Sequence, residues 1–426
     1  MDFEINKNKY VTLVGYVQSG KTNEEINYCY TSINNYKIPV IFITRNIKAD
    51  ILQLLERIKV YNNVITNNKL LVESLSSLTP EKAVQLLLNY GIIVCLYNYS
   101  QLHKIEYIIK KYQKNFKGKY NLCIDEVDYS IKNKEPTSNT ELILKNIKEW
   151  SNHVLGATAT PCALFFTSKD ISKFKKMDST NNYRGINSLQ INIVNPVIIK
   201  NKFYFPYSDH KTINKIYNSL LKKNHSILLH TVVKEKIYHY MLADYITKYY
   251  PKFTVIVYNG DGILIFNNKV SQLIIEPSTN SNSKYYYNPQ KGHYFKNYSI
   301  SQVLQILKNN NNSTHITIIS GNLASRGISF VSTDYKWHLT DQYLHPSRST
   351  HGENLLQSLR ILGCYNDSSE ITLWCSKTTW EDILQQFKLI ENLINNVNNS
   401  IEWSIKIQKI KINKLNRAIT RTKLIK

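Results

Sequence analysis

The chain has 426 residues, of which 42% are hydrophobic, and it carries 54 Lys and Arg against 31 Asp and Glu, a formal net charge of +23. That length exceeds one ordinary hydrophobic core, so two domains of about 150 to 200 residues are expected. No run of 18 or more apolar residues suggests a membrane span, and the opening MDFEINKNKY has no apolar signal core, so an intracellular, non-secreted and non-membrane protein is expected.

A surface this basic suits a polyanion. An AT-rich genome would also inflate Lys together with Asn, Ile and Tyr, and this composition resembles proteins of large AT-rich DNA viruses; a cytoplasmic, viral-factory or virion location fits that resemblance. The cysteines at 29, 95, 123, 162, 364 and 375 show neither paired metal-ligand spacing nor disulfide-scaffold density, and read as reduced packing residues.

In chain order, the β-rich YVTLV (10–14) leads into a loop, VGYVQSGKT, and then a helix, NEEINYCYTSIN. Gly15, four residues, Gly20, Lys21 and Thr22 fit the phosphate-loop spacing, with Gln18 and Ser19 inside it. The order strand, loop, helix is what such a loop needs, because backbone N–H groups then point at one anion. IPVIFIT reads as a buried strand, ADILQLLERI as a helix, GIIVCLY as a strand, SQLHKIEYIIKKY as a helix and YNLCID as a strand. This alternation predicts a parallel sheet covered on both faces.

Asp125 and Glu126 stand at the end of YNLCID, where open α/β sheets place their ligands. With a triphosphate on the loop, Lys21 would meet the β- and γ-phosphates, Thr22 and Asp125 would hold Mg²⁺, and Glu126 would deprotonate the attacking water. Either acid alone could be a helix cap. The loop and the acid pair together make nucleotide chemistry the stronger reading.

After a polar passage from 170 to about 207 the alternation resumes, and the domain boundary is placed at 207/208. TINKIYNSLLKK, SILLHTV, EKIYHYMLADYITKYY and FTVIVYN read as helix, strand, helix and strand, with STHITIIS and EITLWCS as later strands. Between 261 and 299 the pattern lapses, predicting a surface insertion whose Tyr and Lys residues either stack on bases or are simply exposed. TTWEDILQQFKLIENLI reads as a helix with a capping box at Thr378 and Glu381 and an apolar stripe of Ile383, Leu384, Phe387, Ile390 and Ile394. The terminal stretch IKIQKIKINKLNRAITRTKLIK carries eight Lys and Arg and no acid, and reads equally as a phosphate grip or a solvated extension. The expected domains are therefore 1–207, 208–376 with the insertion, and 377–426.

These motifs together resemble superfamily 2 helicases: GYVQSGKT as motif I, DEVD as motif II, LGATATP (155–161) as motif III, GNLASRGISF from Gly321 as motif V and QSLRILG from Gln357 as motif VI. Within that superfamily the chain is similar to the Z-one domain family, in the VQSGKT context, the N-L-x-S-R-G and Q-x-x-R-x-x-G elements, and ITRNIKADILQLLERI after motif I. The likeness spans residues 10 to 376.

The resemblance implies an α/β fold of two tandem RecA-like parallel-sheet domains with a C-terminal helical, basic extension. It implies ATP and Mg²⁺ as nucleotide and metal, and nucleic acid as partner, DNA in preference to RNA, with ATP hydrolysis driving translocation or unwinding. It also implies roles for further residues: Thr158 and Thr160 couple the ATP site to nucleic acid, Arg360 beside Gln357 neutralises the leaving phosphoryl, and Arg326 beside Gly327 supports the nucleotide pocket, touches phosphate or braces the interdomain cleft. Two departures motivate a rival reading, a nucleic-acid-binding switch or scaffold with weak turnover: Cys364 and Tyr365 follow Gly363 where many relatives carry a second arginine, and Ser329 stands where motif V often has an acid. A nuclease finds no second acidic cluster in the sequence.

Overall fold

The computed structural model describes residues 9–65, 69–116, 120–130, 138–161, 164, 174–195, 209–231, 236–266, 293–295, 298–310, 314–321, 324, 327–345, 353–365 and 370–395. They fall into two compact units, one drawn from Met1–Ser179 and Lys388–Lys426, the other from Thr180–Phe387. The sequence reading put the boundary at 207/208. The second unit instead begins near 180, because Leu189–Ile193, inside the passage read as a linker, is a strand that pairs in parallel with Ile371–Cys375.

In the first unit the strands are β1 (Tyr10–Val14), β2 (Val40–Thr44), β3 (Val72–Ser74), β4 (Ile92–Leu96), β5 (Asn121–Ile124), β6 (His153–Thr158) and β7 (Phe174–Lys176). The helices are α1 (Lys21–Asn34), α2 (Lys48–Val64), α3 (Pro80–Leu88), α4 (Tyr99–Phe116), α5 (Val127–Ser130) and α6 (Asn139–Trp150). All seven strands run parallel in the order β3-β4-β2-β5-β6-β1-β7. The central strands VIFIT, IIVCL and NLCI are buried at every position, as strands covered on both faces must be. Ile26 and Cys29 of α1 and Ile51, Leu54 and Ile58 of α2 cover one face with Phe42 and Val94. Leu87 of α3, Leu102 and Ile105 of α4 and Ile147 of α6 cover the other with Ile41 and Ile93.

The second unit contains β8 (Tyr183–Arg184), β9 (Leu189–Ile193), β10 (Ser226–Thr231), β11 (Phe253–Asn259), β12 (Gly262–Phe266), β13 (His293–Phe295), β14 (His315–Ser320), β15 (Asp341–Leu344), β16 (Gly363–Cys364) and β17 (Ile371–Cys375). Its helices are α7 (His210–Leu220), α8 (Lys236–Tyr249), α9 (Ile300–Asn309), α10 (Glu353–Gln357) and α11 (Lys377–Asn395), the last counted with the first unit from Lys388. The sheet order is β13-β12-β11-β14-β10-β15-β17-β9, with every pairing parallel except those of β12, which runs antiparallel to both β11 and β13. Residues β8 and β16 form a separate two-stranded antiparallel ribbon. Ile213, Ile216 and Leu220 of α7 and Leu242 and Ile246 of α8 pack on Leu228, Val255 and Tyr343.

Three expectations change. The stretch taken as an insertion from 261 begins with β12, which folds back antiparallel on β11 with Asn259 opposite Gly262, while its Tyr-rich part at 267–292 lies outside the described residues. The capping box at Thr378 and Glu381 is not used: α11 starts at Lys377, and the Ser376 hydroxyl accepts from the Thr379 N–H at 3.1 Å. On that helix Ile383 and Ile390 are buried, whereas Leu384 and Phe387 are only partly so, and the burial of Ile394 is outside the described set. Cys29, Cys95, Cys123 and Cys375 are free and buried, as expected of packing residues; Cys364 is free and partly exposed, and Cys162 lies outside the described residues. The tail beyond 395 lies outside them too. Among the described residues no helix is long and apolar enough to cross a membrane.

Candidate nucleotide-binding and coupling site

Strands β5, β6 and β1 are neighbours and parallel, so the segments that follow each of them emerge at one end of the first sheet. Those segments are the acid pair, motif III and the glycine loop. This is the end where open parallel sheets bind ligands, since helix N-termini also collect there.

Backbone hydrogen bonds fix the loop at its start and across its curl. The Gly15 N–H donates to the Thr158 carbonyl at 3.2 Å and the Ser19 N–H to the Tyr16 carbonyl at 3.2 Å. Gly20 caps α1 in a left-handed conformation, φ 93°, which an L side chain would resist. A Cβ on Gly15 would stand 2.8 Å from Ser19 Oγ, so a side chain there would force the serine hydroxyl to move. Gln18 also lies at positive φ, 55°, a conformation that costs about 1–3 kcal/mol for a non-glycine residue and recurs at functional loops. Ser19 and Lys21 are buried, and Lys21 Nζ donates to the Tyr16 carbonyl at 2.7 Å, which points the ammonium into the curl of the loop.

Beyond β5, Glu126 is buried and at positive φ, 52°. The Asp125 carboxyl is pushed up to about 7, first by burial, then by the charges of Glu126 and Asp50, with Arg45 and Lys21 opposing. An unfolded aspartate titrates near about 3.9, so the folded state holds this proton more tightly, and stability from the group is complete below about 4 and lost as pH rises to about 7. The metal-free protein is therefore expected to lose thermal stability relative to an Asp125→Asn variant across that window. Melting curves at a series of pH values would contradict this if the gap stayed constant.

Motif III closes on motif II. Thr158 Oγ1 donates to Asp128 Oδ1 at 2.8 Å, Thr160 Oγ1 donates to Asp128 Oδ2 at 3.0 Å, and the Thr160 N–H donates to Thr158 Oγ1 at 2.9 Å. Both carboxylate oxygens of Asp128 are thus used by the two hydroxyls, and any shift of the acid turn is felt at Thr158 and Thr160. Sequence reasoning named both threonines but gave Asp128 no role, although it is the last letter of DEVD. Arg45 and Asp50 were also passed over; they form a buried two-pronged ion pair at 2.8 and 2.9 Å beside the same end of the sheet.

Glu25 was missed as well. It follows Lys21 by one helical turn in a stripe with Ile26, Cys29 and Ile33, and an acid among apolar helical positions was the available signal. It is fully buried, and burial, followed by the nearby Asp125, holds its carboxyl well above the usual range.

The remaining candidates are in the second unit. Gly327 is at φ 76°, while Arg326 lies outside the described residues. Arg360 is buried, with Nε donating to the Ile328 carbonyl at 2.9 Å, Nη1 to the Gln357 carbonyl at 3.1 Å and Nη2 to the Ile328 carbonyl. It thereby ties motif V to motif VI. Gln342 of β15, which the sequence did not single out, clamps the same segment, its Nε2 donating to the Ser358 carbonyl at 2.6 Å and its Oε1 accepting from the Ile361 N–H at 3.0 Å. The charge-assisted bonds from the Arg360 guanidinium contribute about 1.5–3 kcal/mol each. Arg360→Ala is expected to destabilise the nucleotide-free protein by about 3 kcal/mol in urea unfolding, with Arg360→Lys recovering less than half because it lacks the planar fork. An unchanged midpoint for the alanine variant would contradict this.

No protein-family model and no curated protein matches the sequence. Solved structures do. The chain is similar to the DUF1998 helicase MrfA bound to DNA and AMPPNP, at TM-score 0.55 and 11% identity over 93% of this chain and 49% of that one. It is similar to S. cerevisiae Dbp5 bound to RNA and ADP BeF3, at TM-score 0.51 and 11% identity over 94% and 90%, and to the DEAD-box helicase Mss116 bound to ssRNA and UDP-BeF, at TM-score 0.53 and 11% identity over 87% and 67%.

The fold is that of two tandem RecA-like domains.

This chain spans about half the length of the MrfA chain it matches. The first RecA-like unit carries the glycine loop, the acid pair and the threonine–aspartate bridge. The second carries Gly327, Gln357 and Arg360. Among the described residues no three His, Cys, Asp or Glu side chains come close enough to hold a metal ion by themselves. The donor set of the first unit fits a magnesium ion shared with a triphosphate: one hydroxyl, one carboxylate and phosphate oxygens, with water completing the shell.

Proposed function

We propose that the chain is a nucleic-acid-dependent ATPase of the superfamily 2 helicase type, coupling ATP hydrolysis to translocation on or unwinding of nucleic acid, with DNA preferred over RNA. The observation that carries the reading is the meeting of the glycine loop, the Asp125–Glu126 turn and the Asp128–Thr158–Thr160 bridge on three adjacent strand ends.

In this reading the backbone N–H groups from Gln18 to Thr22 bind the β- and γ-phosphates, and Lys21 leaves the Tyr16 carbonyl to meet them. Thr22 and Asp125 would hold Mg²⁺, which supplies positive charge against the developing oxyanions. Glu126 accepts the proton of the attacking water. Arg360 would neutralise charge on the departing phosphoryl, an effect of about a thousandfold or more in rate, and would have to give up part of its hold on Ile328 and Gln357 to do so. Asp128 passes movement of the acid turn to Thr158 and Thr160, which makes it the coupling element. The net charge of +23 supports phosphate-dominated binding of nucleic acid that falls steeply with salt.

The second reading, an ATP-dependent switch or scaffold with weak turnover, is favoured by two observations: all three guanidinium nitrogens of Arg360 are engaged by carbonyls, and Tyr365 is buried and stacked on His338 with ring centroids 4.0 Å apart. Hydrolysis measured without nucleic acid and with single-stranded DNA, duplex DNA or RNA separates the two. Stimulation by nucleic acid, greatest with DNA, supports the motor. Rates that are negligible and equal under all conditions support the switch.

A further inference from the structure

We infer that Glu25 belongs to the nucleotide site as a positioning residue that accepts hydrogen bonds from the water shell of the magnesium ion; this rests on the function proposed above. Side chains alternate along a strand, so Asn121, Cys123 and Asp125 share the face of β5 that meets α1. A polar ladder runs along that seam. At its far end Asn121 Nδ2 donates to Ser32 Oγ at 2.8 Å, and one level nearer the ligand end Cys123 Sγ donates to Glu25 Oε1 at 3.8 Å. At the ligand end the facing residues are Asp125 and Lys21, and Lys21 lies one helical turn from Glu25 on the same face of α1.

Glu25 is 0% exposed, and its Oε2 has no hydrogen-bond partner among the described residues. A buried carboxyl oxygen without a donor is costly, and native proteins rarely leave one so. Its closest cationic neighbour on the helix, Lys21, directs its ammonium to the Tyr16 carbonyl at 2.7 Å. The chemistry that suits the oxygen is a set of water O–H donors with a divalent countercharge behind them. Magnesium dehydrates reluctantly and keeps several of its waters when protein-bound, so an acid behind the inner shell orients those waters without touching the ion.

The test is equilibrium binding of a fluorescent, non-hydrolysable ATP analogue to the full chain, with Mg²⁺ and with EDTA. Wild type is expected to bind more tightly with Mg²⁺. Glu25→Gln, which keeps the shape of the acid, is expected to match wild type in EDTA and to lose about tenfold of the gain from Mg²⁺. Glu25→Met, apolar and similar in volume, should show the same loss, and circular dichroism identifies which variants are folded. A folded variant with the full wild-type gain from Mg²⁺ overturns this inference alone. Failure of wild type to bind the analogue under either condition overturns the proposed function, and this inference with it.

Discussion

Glu126→Gln is expected to bind MgATP as wild type does and to hydrolyse it about 10²- to 10⁴-fold more slowly, the range associated with loss of a general base. The substitution keeps the size of the side chain and its hydrogen-bonding oxygen, and removes only the ability to take a proton. Glu126 is suited to that role by its place: it is buried, lies at φ 52° directly after Asp125, and its charge acts on the Asp125 carboxyl. Single-turnover hydrolysis separates the effect from binding. A variant with a wild-type chemical rate would transfer the base role to another group.

Lys21→Ala is expected to weaken MgATP binding by about 100-fold. A charge-assisted hydrogen bond contributes about 1.5–3 kcal/mol, and each 1.4 kcal/mol is tenfold in affinity. The wild-type ammonium sits on the Tyr16 carbonyl at 2.7 Å, so it is already inside the loop and needs only a small movement to meet a phosphate. Removing it also deprives Asp125 and Glu25 of a nearby positive charge that lowers both of their proton affinities. The variant should therefore lose affinity for the magnesium complex more than for nucleotide alone. Calorimetric titration of the two proteins checks both statements, and equal affinities would contradict them.

The elements legible in the sequence were those whose burial is uniform. VIFIT, IIVCL and NLCI are apolar because both faces of the sheet are covered, and the helices between them show a clear polar and apolar side. Less legible were elements whose stability comes from partners far away in the chain. Strand β15 reads DQYL, and its Asp341 is fully buried only because Lys223, Trp374 and Thr340 donate to it at 2.7, 3.0 and 2.7 Å. Strand β9, LQINI, lies at the sheet edge with partly exposed residues, so it reads as a linker and moved the boundary by nearly thirty residues from where the second unit begins. Short α3 carries its start signal, Thr79 capping with Pro80 at the first position, but spans too few residues for periodicity to stand out.

At the site, the spacing of Gly15, Gly20, Lys21 and Thr22 and the acid pair was readable because local backbone geometry demands those residue types. Asp128 and Glu25 were not, because their meaning depends on which strand lies opposite. The hydroxyls that grip Asp128 come from a strand about thirty residues later, and the Glu25 neighbours Cys123 and Asp125 come from one about a hundred residues later. Arg360 was readable as a motif, but its present partners, the Ile328 and Gln357 carbonyls, follow only from how motifs V and VI pack in the second unit.

One triphosphate is proposed to sit on the Gly15–Thr22 loop, with Thr22 and Asp125 holding its metal ion. A crystal structure of the chain with a non-hydrolysable ATP analogue and Mn²⁺ tests it directly. The expected result is phosphates on the loop N–H groups, the Lys21 ammonium moved from the Tyr16 carbonyl onto them, and an anomalous Mn²⁺ peak beside the Thr22 hydroxyl and the Asp125 carboxylate. Nucleotide bound elsewhere, with Lys21 still on Tyr16, would contradict it.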